Sequence, residues 1–365
     1  MKKNIFFLIF FLFSIVSFSA HLIEDVKING NTITYSAKKK GLFICLYDKD
    51  GKKIVSCLSQ AENNSMELLK TEDIKGKRLI AIDVNDQIDK KKIGGHGVDQ
   101  GRFNYPSGIF VDYFSRLFVV DSMNDRIQVF TGNDLFSFEF GGFGWSTSLN
   151  DLKGRFNRPS DIVVGRFVYV VDTENHRVAK FDIDGNFISA FGGNGSKDGE
   201  FYLPKGICMD LSGDIYIADT ENDRIQKFDG NGNHILTLGS FGRGIKQFNK
   251  PKYTAVDNDY DLYVTDYRNN RVHLYDRFGS FKKFLKFGKS FVKRPLGISV
   301  YNNIIAVVTS DSKLIISSKD ESYVKEIKLD FKPEDVQLTA GSVFISCPSE
   351  NCVYRIDLER AEYVF

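Results

Sequence analysis

The segment GRFNRP at residues 154–159 has five counterparts along this 365-residue chain, and each pairs a Phe with a nearby Pro. We call the six copies the Phe–Pro segments. They are GRFNYP (101–106), GRFNRP (154–159), GEFYLP (199–204), KQFNKP (246–251), SFVKRP (290–295) and DFKP (330–333). Their prolines are 53, 45, 47, 44 and 38 residues apart. A period of about 40–50 residues that contains several short apolar strands is typical of a β-propeller with one sheet per repeat.

This period predicts an all-β fold in which residues 94–365 form a six-bladed β-propeller. In the first blade the strands run over 107–111, 116–120, 126–130 and 135–140, from innermost to outermost. Two segments compete for the outermost strand of the last blade: residues 361–365, or residues 90–93, which would pair the two ends of the ring. The predicted blades lie near residues 94–140, 141–191, 192–238, 239–287, 288–327 and 328–365.

The composition is that of an ordinary globular protein. There are 49 Lys and Arg against 47 Asp and Glu, so the net charge is +2 and argues against a dedicated nucleic-acid binder. Glycine (31) and phenylalanine (33) are frequent and proline (7) is scarce, which suits tight hairpins around an aromatic β core.

The first twenty residues are predicted to be a secretory signal peptide. Lys2 and Lys3 precede an apolar run over residues 5–18, and the small residues Ser17, Ser19 and Ala20 lie at its end. The run is shorter than the roughly 20 residues that span a bilayer, which favours cleavage over an uncleaved anchor. We therefore expect an exported chain, periplasmic or extracellular, with no transmembrane helix after cleavage.

Residues 21–90 do not follow the repeat and contain five or six short strands with turn signals between them. The stretch resembles the immunoglobulin-like modules of exported bacterial proteins, which implies a small β-sandwich. The alternative is an eroded additional blade, because residues 24–27 (EDVK) are similar to residues 334–337 (EDVQ).

Export would permit disulfides between the five cysteines. Cys45 and Cys57 flank one predicted turn, and Cys347 and Cys352 flank another, so each pair is a disulfide candidate. Cys208 lies in an apolar run and is expected to be a small buried core residue. The chain has no Cys-x-x-Cys pair, which argues against a zinc ribbon or a thioredoxin-type site.

Four repeats share the pattern Asp-x-x-Asn-x-Arg followed by Ile or Val. This pattern resembles the NHL-repeat family, and the resemblance covers about 270 residues and implies a six-bladed propeller. The pairs are Asp121 and Arg126, Asp172 and Arg177, Asp219 and Arg224, and Asp266 and Arg271.

The same pattern has a direct physical interpretation as a structural staple. The Asp ends the second strand and the Arg begins the third, so we expect the Arg to hold the carboxylate with two charge-assisted hydrogen bonds. Four copies around a ring indicate a structural role. The fifth repeat lacks the pair and is one residue shorter at 309–314. In the sixth, Cys347 and Cys352 take the Asp and Arg positions, so a disulfide could replace the ion pair.

The segments before each innermost strand are expected to line one face of the ring, where propellers bind ligands. They combine cations with aromatic residues, which could hold a protein partner or an anionic glycan. The alternative is an ordinary solvated rim. Trp145, on the longest insertion (141–153), could bind a partner or fill the gap between two blades. The candidate binding residues are Arg102, Tyr105, Trp145, Arg155, Arg158, Tyr202, Lys205, Lys250, Lys252, Tyr253, Lys293 and Arg294.

An enzymatic function is the alternative that we favour less. Some proteins with NHL-like propellers are lyases or lactonases that use a metal in the central channel, so the resemblance implies this possibility. Asp161 and Asp335 could meet near the channel mouth and hold a hard cation, but the five histidines show poor convergence. We assign no catalytic residue, metal ligand or cofactor.

The sequence therefore predicts an exported, monomeric binding scaffold whose loop face recognises a protein or an anionic glycan. Substitution of Arg155, Arg158, Lys250 and Lys252 together by Ala is expected to abolish binding and to leave the melting curve almost unchanged.

Overall fold

The computed structural model describes residues 90–358, apart from 147–151, 289–291 and 322–323, together with the backbone of the strands within 23–83 and of a last strand at 359–364. The chain divides into two compact units. One comprises Met1–Asp89 with Asp357–Phe365, and the other comprises Lys90–Ile356.

The unit Met1–Asp89 with Asp357–Phe365 contains two antiparallel sheets. Three strands form the first sheet in the order β1 (Ile23–Asn29), β2 (Thr32–Ala37) and β5 (Asn63–Glu67). The second sheet contains β3 (Phe43–Tyr47), β4 (Lys53–Leu58), β6 (Arg78–Asp83) and the C-terminal strand Glu359–Val364. The immunoglobulin-like sandwich and the eroded blade both stay predictions, and the predicted signal peptide falls on residues 1–20, outside the described residues.

The unit Lys90–Ile356 is a six-bladed β-propeller, as the repeat period predicts. Each blade is a four-stranded antiparallel sheet, and the innermost strands of neighbouring blades contact each other around the ring. The strands of the first three blades are β8 (Pro106–Val111), β9 (Leu117–Asp121), β10 (Arg126–Phe130) and β11 (Phe136–Gly141); β12 (Pro159–Val164), β13 (Val168–Asp172), β14 (Arg177–Phe181) and β15 (Phe187–Gly192); and β16 (Ile207–Met209), β17 (Ile215–Asp219), β18 (Arg224–Phe228) and β19 (His234–Leu238).

Blades 4 to 6 follow the same order. Their strands are β20 (Pro251–Val256), β21 (Leu262–Asp266), β22 (Arg271–Tyr275) and β23 (Phe281–Phe284); β24 (Pro295–Tyr301), β25 (Ile304–Thr309), β26 (Lys313–Ser318) and β27 (Val324–Lys328); and β28 (Val336–Leu338), β29 (Ser342–Cys347), β30 (Cys352–Asp357) and β7 (Lys90–Gly94). A 3-10 turn joins the second and third strands of five blades, at Ser122–Asn124, Thr173–Asn175, Thr220–Asn222, Tyr267–Asn269 and Pro348–Glu350.

The sixth blade therefore takes its outermost strand from the beginning of the propeller. Strand β7 pairs with β30, with Gly94 opposite Cys352 and Lys90 opposite Ile356. The competing segment, which the sequence places within a sixth blade at 328–365, instead forms a strand that pairs with β6. Of the two alternatives for ring closure, the structure has the one that joins the two ends of the ring.

The Phe of the Phe–Pro segment is the reason why the pattern recurs. Phe156 is completely buried in the core between blades 1 and 2, where it packs with Phe140 and Phe181. It lies over Gly141, whose φ of +109° suits glycine, and a Cβ there would come within 2.6 Å of the Phe156 ring. Phe103, Phe201 and Phe248 repeat this arrangement in blades 1, 3 and 4. In blades 1 to 4, a buried Phe is thus packed against the first loop of the blade.

A search for membrane spans finds none: across the described part of the chain, every helix is too short or too polar to cross a bilayer.

Candidate functional site: the loop face and the channel mouth

The Asp–Arg hairpins and the Phe–Pro segments meet at the same end of each blade, and we call this end of the ring the loop face. In blade 2, Arg177 Nε donates to Asp172 Oδ2 at 2.8 Å, and the backbone N–H of Asn157 donates to Asp172 Oδ1 at 2.7 Å. Both side chains of the ion pair are completely buried. Each staple therefore joins its hairpin to the Phe–Pro segment of the same blade.

The staple geometry differs from the expected two-bond grip in one respect. Arg126, Arg177, Arg224 and Arg271 each reach the carboxylate through Nε, at 2.8, 2.8, 2.7 and 2.9 Å. The remaining guanidinium nitrogens donate mostly to loop carbonyls, as Arg224 Nη2 does to the oxygens of Lys197 (2.7 Å) and Glu200 (2.9 Å). Arg126 Nη1 instead donates to the Glu139 carboxylate at 2.9 Å. The second carboxylate oxygen is already occupied by the N–H of the Phe–Pro segment, so the Arg uses its other donors to fix the loop.

A second set of contacts links each blade to the next, and we call them interblade clasps. The residue just before the third strand of the blade has a left-handed backbone, and its side chain accepts the N–H of the residue before the Pro of the following blade. The acceptor and donor pairs are Asp125 and Arg158 (2.7 Å), His176 and Leu203 (3.0 Å), Asp223 and Lys250 (2.7 Å), Asn270 and Arg294 (2.8 Å), and Asn351 and Tyr105 (2.8 Å).

The junction between blades 5 and 6 has no clasp among the described residues. The blade 5 hairpin is shorter, and Ser312 holds the left-handed position there. Five of the six junctions therefore share one polar contact, which the sequence signals by an Asp, His or Asn between the motif's Asn and the strand-starting residue.

One clasp depends on protonation. His176 Nδ1 accepts the N–H of Leu203, so that nitrogen must carry no proton, and burial lowers the pKa of His176. A lowered pKa means that this contribution to stability is present above pH 6.5 and is lost as the pH falls through the folded-state pKa. The ring of His176 also stacks on Tyr202, with 5.5 Å between centroids.

We expect the propeller to lose about 0.5–1 kcal/mol of stability through this clasp between pH 7.5 and pH 5. The variant His176→Asn should show a weaker pH dependence over this range, because Asn forms the same clasp in blades 4 and 6. Urea unfolding at several pH values checks this, and two parallel stability curves would contradict it.

The six residues that lie two positions after each Pro form a ring around the channel, and small and large side chains alternate around it. Blades 1, 3 and 5 place glycines there, and blades 2, 4 and 6 place large side chains. In order, the residues are Gly108, Asp161, Gly206, Tyr253, Gly297 and Asp335. A Cβ on Gly108 would lie 2.4 Å from Asp161 Oδ1, and one on Gly297 would lie 2.4 Å from Asp335 Oδ1. The glycines make room for the large residues. Tyr253 is only 3% exposed and packs in the hydrophobic core, so it does not lie on the loop surface, where the sequence places it.

Asp161 and Asp335 are buried, and their carboxylates accept backbone N–H groups. Ile207 N donates to Asp161 Oδ2 at 2.8 Å, and Ile109 N donates to Asp335 Oδ2 at 3.0 Å. The two carboxylates are therefore already used to join neighbouring inner strands. In the parts of the chain that the structure describes, no group of three or more His, Cys, Asp or Glu could hold a metal ion. This donor set does not fit the hard cation that the sequence suggests.

Burial raises the pKa of Asp335 to about 8 and raises the pKa of Asp161, with Asp335 as the second cause for Asp161. The pKa of each carboxyl group is higher in the folded protein than in the unfolded chain. Protonation of the two groups therefore contributes its full free energy to folding below pH 3.8. This contribution is lost as the pH rises towards 8. The variant Asp335→Asn should therefore show a shallower fall in unfolding free energy between pH 4.5 and pH 8, as measured by urea titration. An unchanged slope would contradict this assignment.

The channel mouth lies directly above this ring. Lys252 Nζ is 3.3 Å from Glu334 Oε1, and the Tyr253 hydroxyl donates to the same oxygen at 3.4 Å. Lys205 lies in the same cluster, where burial lowers its pKa and Glu334 partly opposes the shift. Tyr105 is half exposed near Glu334 and Lys252. The mouth thus combines two ammonium groups, one carboxylate and two phenols.

Comparison with known proteins agrees with this geometry. The NHL repeat profile matches residues 156–181 and 201–228, which cover the Phe–Pro segment and first three strands of blades 2 and 3. Blades 2 and 3 contain NHL repeats. The chain is 28% identical over 124 residues to the B-box type zinc finger protein ncl-1 of Caenorhabditis elegans, which is 34% of this chain but only 14% of that protein.

Two solved structures share the fold at low sequence identity. A structural genomics protein of unknown function from Bacteroides thetaiotaomicron has a TM-score of 0.59 and 14% identity, and the match covers 92% of this chain and 97% of that one. Virginiamycin B lyase from Staphylococcus aureus has a TM-score of 0.52 and 12% identity, over 74% of this chain and 99% of that one. At these identities the likeness shows the fold alone.

Most of the predicted binding residues lie on the surface of the propeller. Arg102, Tyr105, Trp145, Arg155, Arg158, Tyr202, Lys293 and Arg294 are exposed, and Lys205, Lys250 and Lys252 are half-buried. Trp145 is 65% exposed, so it does not fill a gap between blades.

Acidic side chains pair with part of the basic loop face of the propeller. Lys250 is bonded to Glu221, and Lys252 to Glu334. Glu221 belongs to the Asp–Arg hairpin of blade 3 and not to a Phe–Pro segment. Arg158 and Arg294 form no ion pair with any residue that the structure describes.

Cys208, Cys347 and Cys352 of the propeller are free thiols in the structure. Cys347 and Cys352 are completely buried, and they occupy the Asp and Arg positions of the sixth hairpin as predicted. A hydrogen bond from Cys352 lowers the pKa of Cys347 to about 7. Cys208 is buried in the core. In the other unit, Cys45 lies opposite Ser56 and Cys57 lies opposite Ile44 in the strand register, and the disulfide between these two cysteines stays a prediction.

Proposed function

We propose that this protein is an exported, monomeric binding scaffold that recognises a protein partner or an anionic glycan through the loop face of its NHL propeller. The observation that carries the proposal is the arrangement around the channel mouth. Half-buried Lys205 and Lys252 are surrounded by exposed Arg158, Arg294 and Tyr105. Cations beside accessible aromatic rings suit a carboxylate-bearing ligand.

The loop-face assignment is tested with two matched pairs of substitutions. Arg158→Ala with Arg294→Ala removes two exposed cations from the loop face, neither in an ion pair among the residues seen. Arg166→Ala with Arg277→Ala removes two exposed arginines from turns at the opposite end of the blades.

The measurement is capture of ligands from extracytoplasmic extract and from a glycan array by each full-length variant. We expect the Arg158 and Arg294 pair to weaken capture at least tenfold and the control pair to leave it unchanged. Equal capture by all three proteins would refute the assignment. Lys250 and Lys252 are left intact because each already bonds a glutamate.

The alternative of a metal-dependent lyase or lactonase gains no support from the channel residues. The candidate carboxylates, Asp161 and Asp335, accept backbone N–H groups, and the residues around them provide a polar binding surface. Recognition therefore explains the geometry better than channel chemistry.

Export would also allow Cys347 and Cys352 to form a disulfide in place of the ion pair of the other blades. The two thiols would lose two protons and two electrons, and the disulfide of an exported thiol oxidoreductase would be reduced to two thiols. We expect both cysteines to resist maleimide after denaturation without reductant, whereas Cys208 should label. Peptide mass spectrometry of protein purified from the exported fraction checks this. Labelling of all three cysteines would contradict it.

A further inference from the structure

The loop face carries large apolar side chains that the charge pattern does not explain. Val98 is 71% exposed, Phe241 is 67% exposed and Ile245 is 60% exposed, and Phe143 and Trp145 are similarly open. They lie on the loops that lead into the Phe–Pro segments, outside the outermost strands. Exposed apolar groups of this size, set among polar residues, mark interaction surfaces.

Hydrogen bonds from the hairpins place these loops at the loop face. The side-chain amides of Asn124, Asn175 and Asn269 donate to the carbonyls of Gly97 (3.0 Å), Gly144 (2.9 Å) and Gly242 (2.8 Å), which are the immediate neighbours of the apolar residues. Val98, Phe143, Trp145 and Phe241 therefore share one end of the ring with the channel mouth. We call these four residues and Ile245 the apolar rim.

Lys205 provides the polar centre of this surface. Its neighbour Lys252 is matched by Glu334 at 3.3 Å. The Lys205 amine has no ion pair or hydrogen bond within the described residues, although it is half-buried and burial lowers its pKa. Glu334 and Glu174 offset the desolvation of this ammonium only in part, so an incoming carboxylate would be stabilised there.

We infer that the loop face binds a polypeptide that places an Asp or Glu side chain beside Lys205 and covers the apolar rim with apolar residues. This inference rests on the proposed function and narrows it to one class of partner. A polyuronate could supply the carboxylate and could stack on the aromatic rings. It offers nothing to match the aliphatic side chains of Val98 and Ile245, whereas apolar peptide side chains do. Protein interfaces combine apolar contacts with arginine and aromatic residues in this way.

The test is a selection of displayed random dodecapeptides against the immobilised full-length protein, followed by affinity measurements. Enriched peptides should contain an acidic residue flanked by apolar residues. Lys205→Met should weaken their binding at least tenfold, as should Phe143→Ser combined with Phe241→Ser. Lys282→Met, on outermost strand β23, is the control and should stay within twofold of the parent. Circular dichroism of each variant verifies folding, and Lys205→Gln provides a second, polar replacement.

The inference is overturned if no peptide is enriched, or if the enriched peptides bind the Lys205→Met variant as tightly as the parent protein. A parallel titration with trigalacturonate separates this failure from failure of the proposed function. Trigalacturonate binding that is lost with Arg158→Ala and Arg294→Ala, in the absence of peptide binding, would refute the polypeptide partner and keep the loop face as a recognition surface.

Discussion

Asp172→Ala is expected to lower the free energy of unfolding of the propeller by about 3–5 kcal/mol, because it leaves the buried Arg177 guanidinium without its counter-charge. The carboxylate also accepts hydrogen bonds from Asn157 N at 2.7 Å and Asn175 Nδ2 at 2.8 Å, so the substitution leaves three donors unmatched. Neither side chain of the ion pair has solvent access that could replace these contacts. Urea titration followed by circular dichroism measures the loss.

Two further variants sharpen this test. Asp184→Ala removes an exposed carboxylate from another turn of the same blade and should change stability by less than about 0.5 kcal/mol. Asp172→Ala combined with Arg177→Met removes both charges and should be more stable than Asp172→Ala alone. If the double variant is instead less stable than Asp172→Ala alone, the unpaired charge of Arg177 is not the origin of the loss.

Gly206→Ala should destabilise the propeller by about 1–3 kcal/mol or more through overpacking alone. The new Cβ would lie 2.4 Å from the carbonyl oxygen of Lys252 and 2.6 Å from the Cα of Tyr253, and both are backbone atoms of the neighbouring inner strand. The inner strands of blades 3 and 4 would have to move apart around the channel. The thermal midpoint of the propeller transition measures the effect.

Gly341→Ala is the matched control, because a Cβ there would have no atom within 4 Å. It is expected to be neutral or slightly stabilising, since Ala restricts the unfolded chain more than Gly does. Equal thermal midpoints for Gly206→Ala and Gly341→Ala would show that the inner strands move apart at little cost in free energy. The close packing of the glycine positions would then not limit stability.

The sequence predicts the architecture well because the Phe–Pro period and the Asp–Arg hairpins are local patterns that repeat. The predicted third strand of blade 1, residues 126–130, has the bounds of β10, Arg126–Phe130. Ring closure is different, since it joins β7 to β30 across most of the chain. No local pattern distinguishes that pairing from a strand near the C-terminus.

The candidate site was less predictable, for reasons of backbone and neighbourhood. Residues before proline normally adopt extended backbone, yet Arg158 has a φ of 49° and Lys250 a φ of 56°, and this geometry presents their N–H groups to the clasps. Tyr253 follows its Pro by two residues, as Gly206 does in blade 3, but only the set of six positions around the channel shows that it is buried. Such features depend on packing between repeats.

Strand β7 has a consequence for how the protein is made. Its partner β30 lies about 260 residues later, so at about 5–20 residues per second β7 waits for some tens of seconds before its partner is synthesised. An unpaired strand invites wrong pairing, and lysines on an edge oppose it. Lys90, Lys91 and Lys92 give β7 three successive positive charges. After closure they bond Asp330, Asp134 and Glu350. The three lysines that oppose wrong pairing of the unpaired strand thus form ion pairs that stabilise the closed ring.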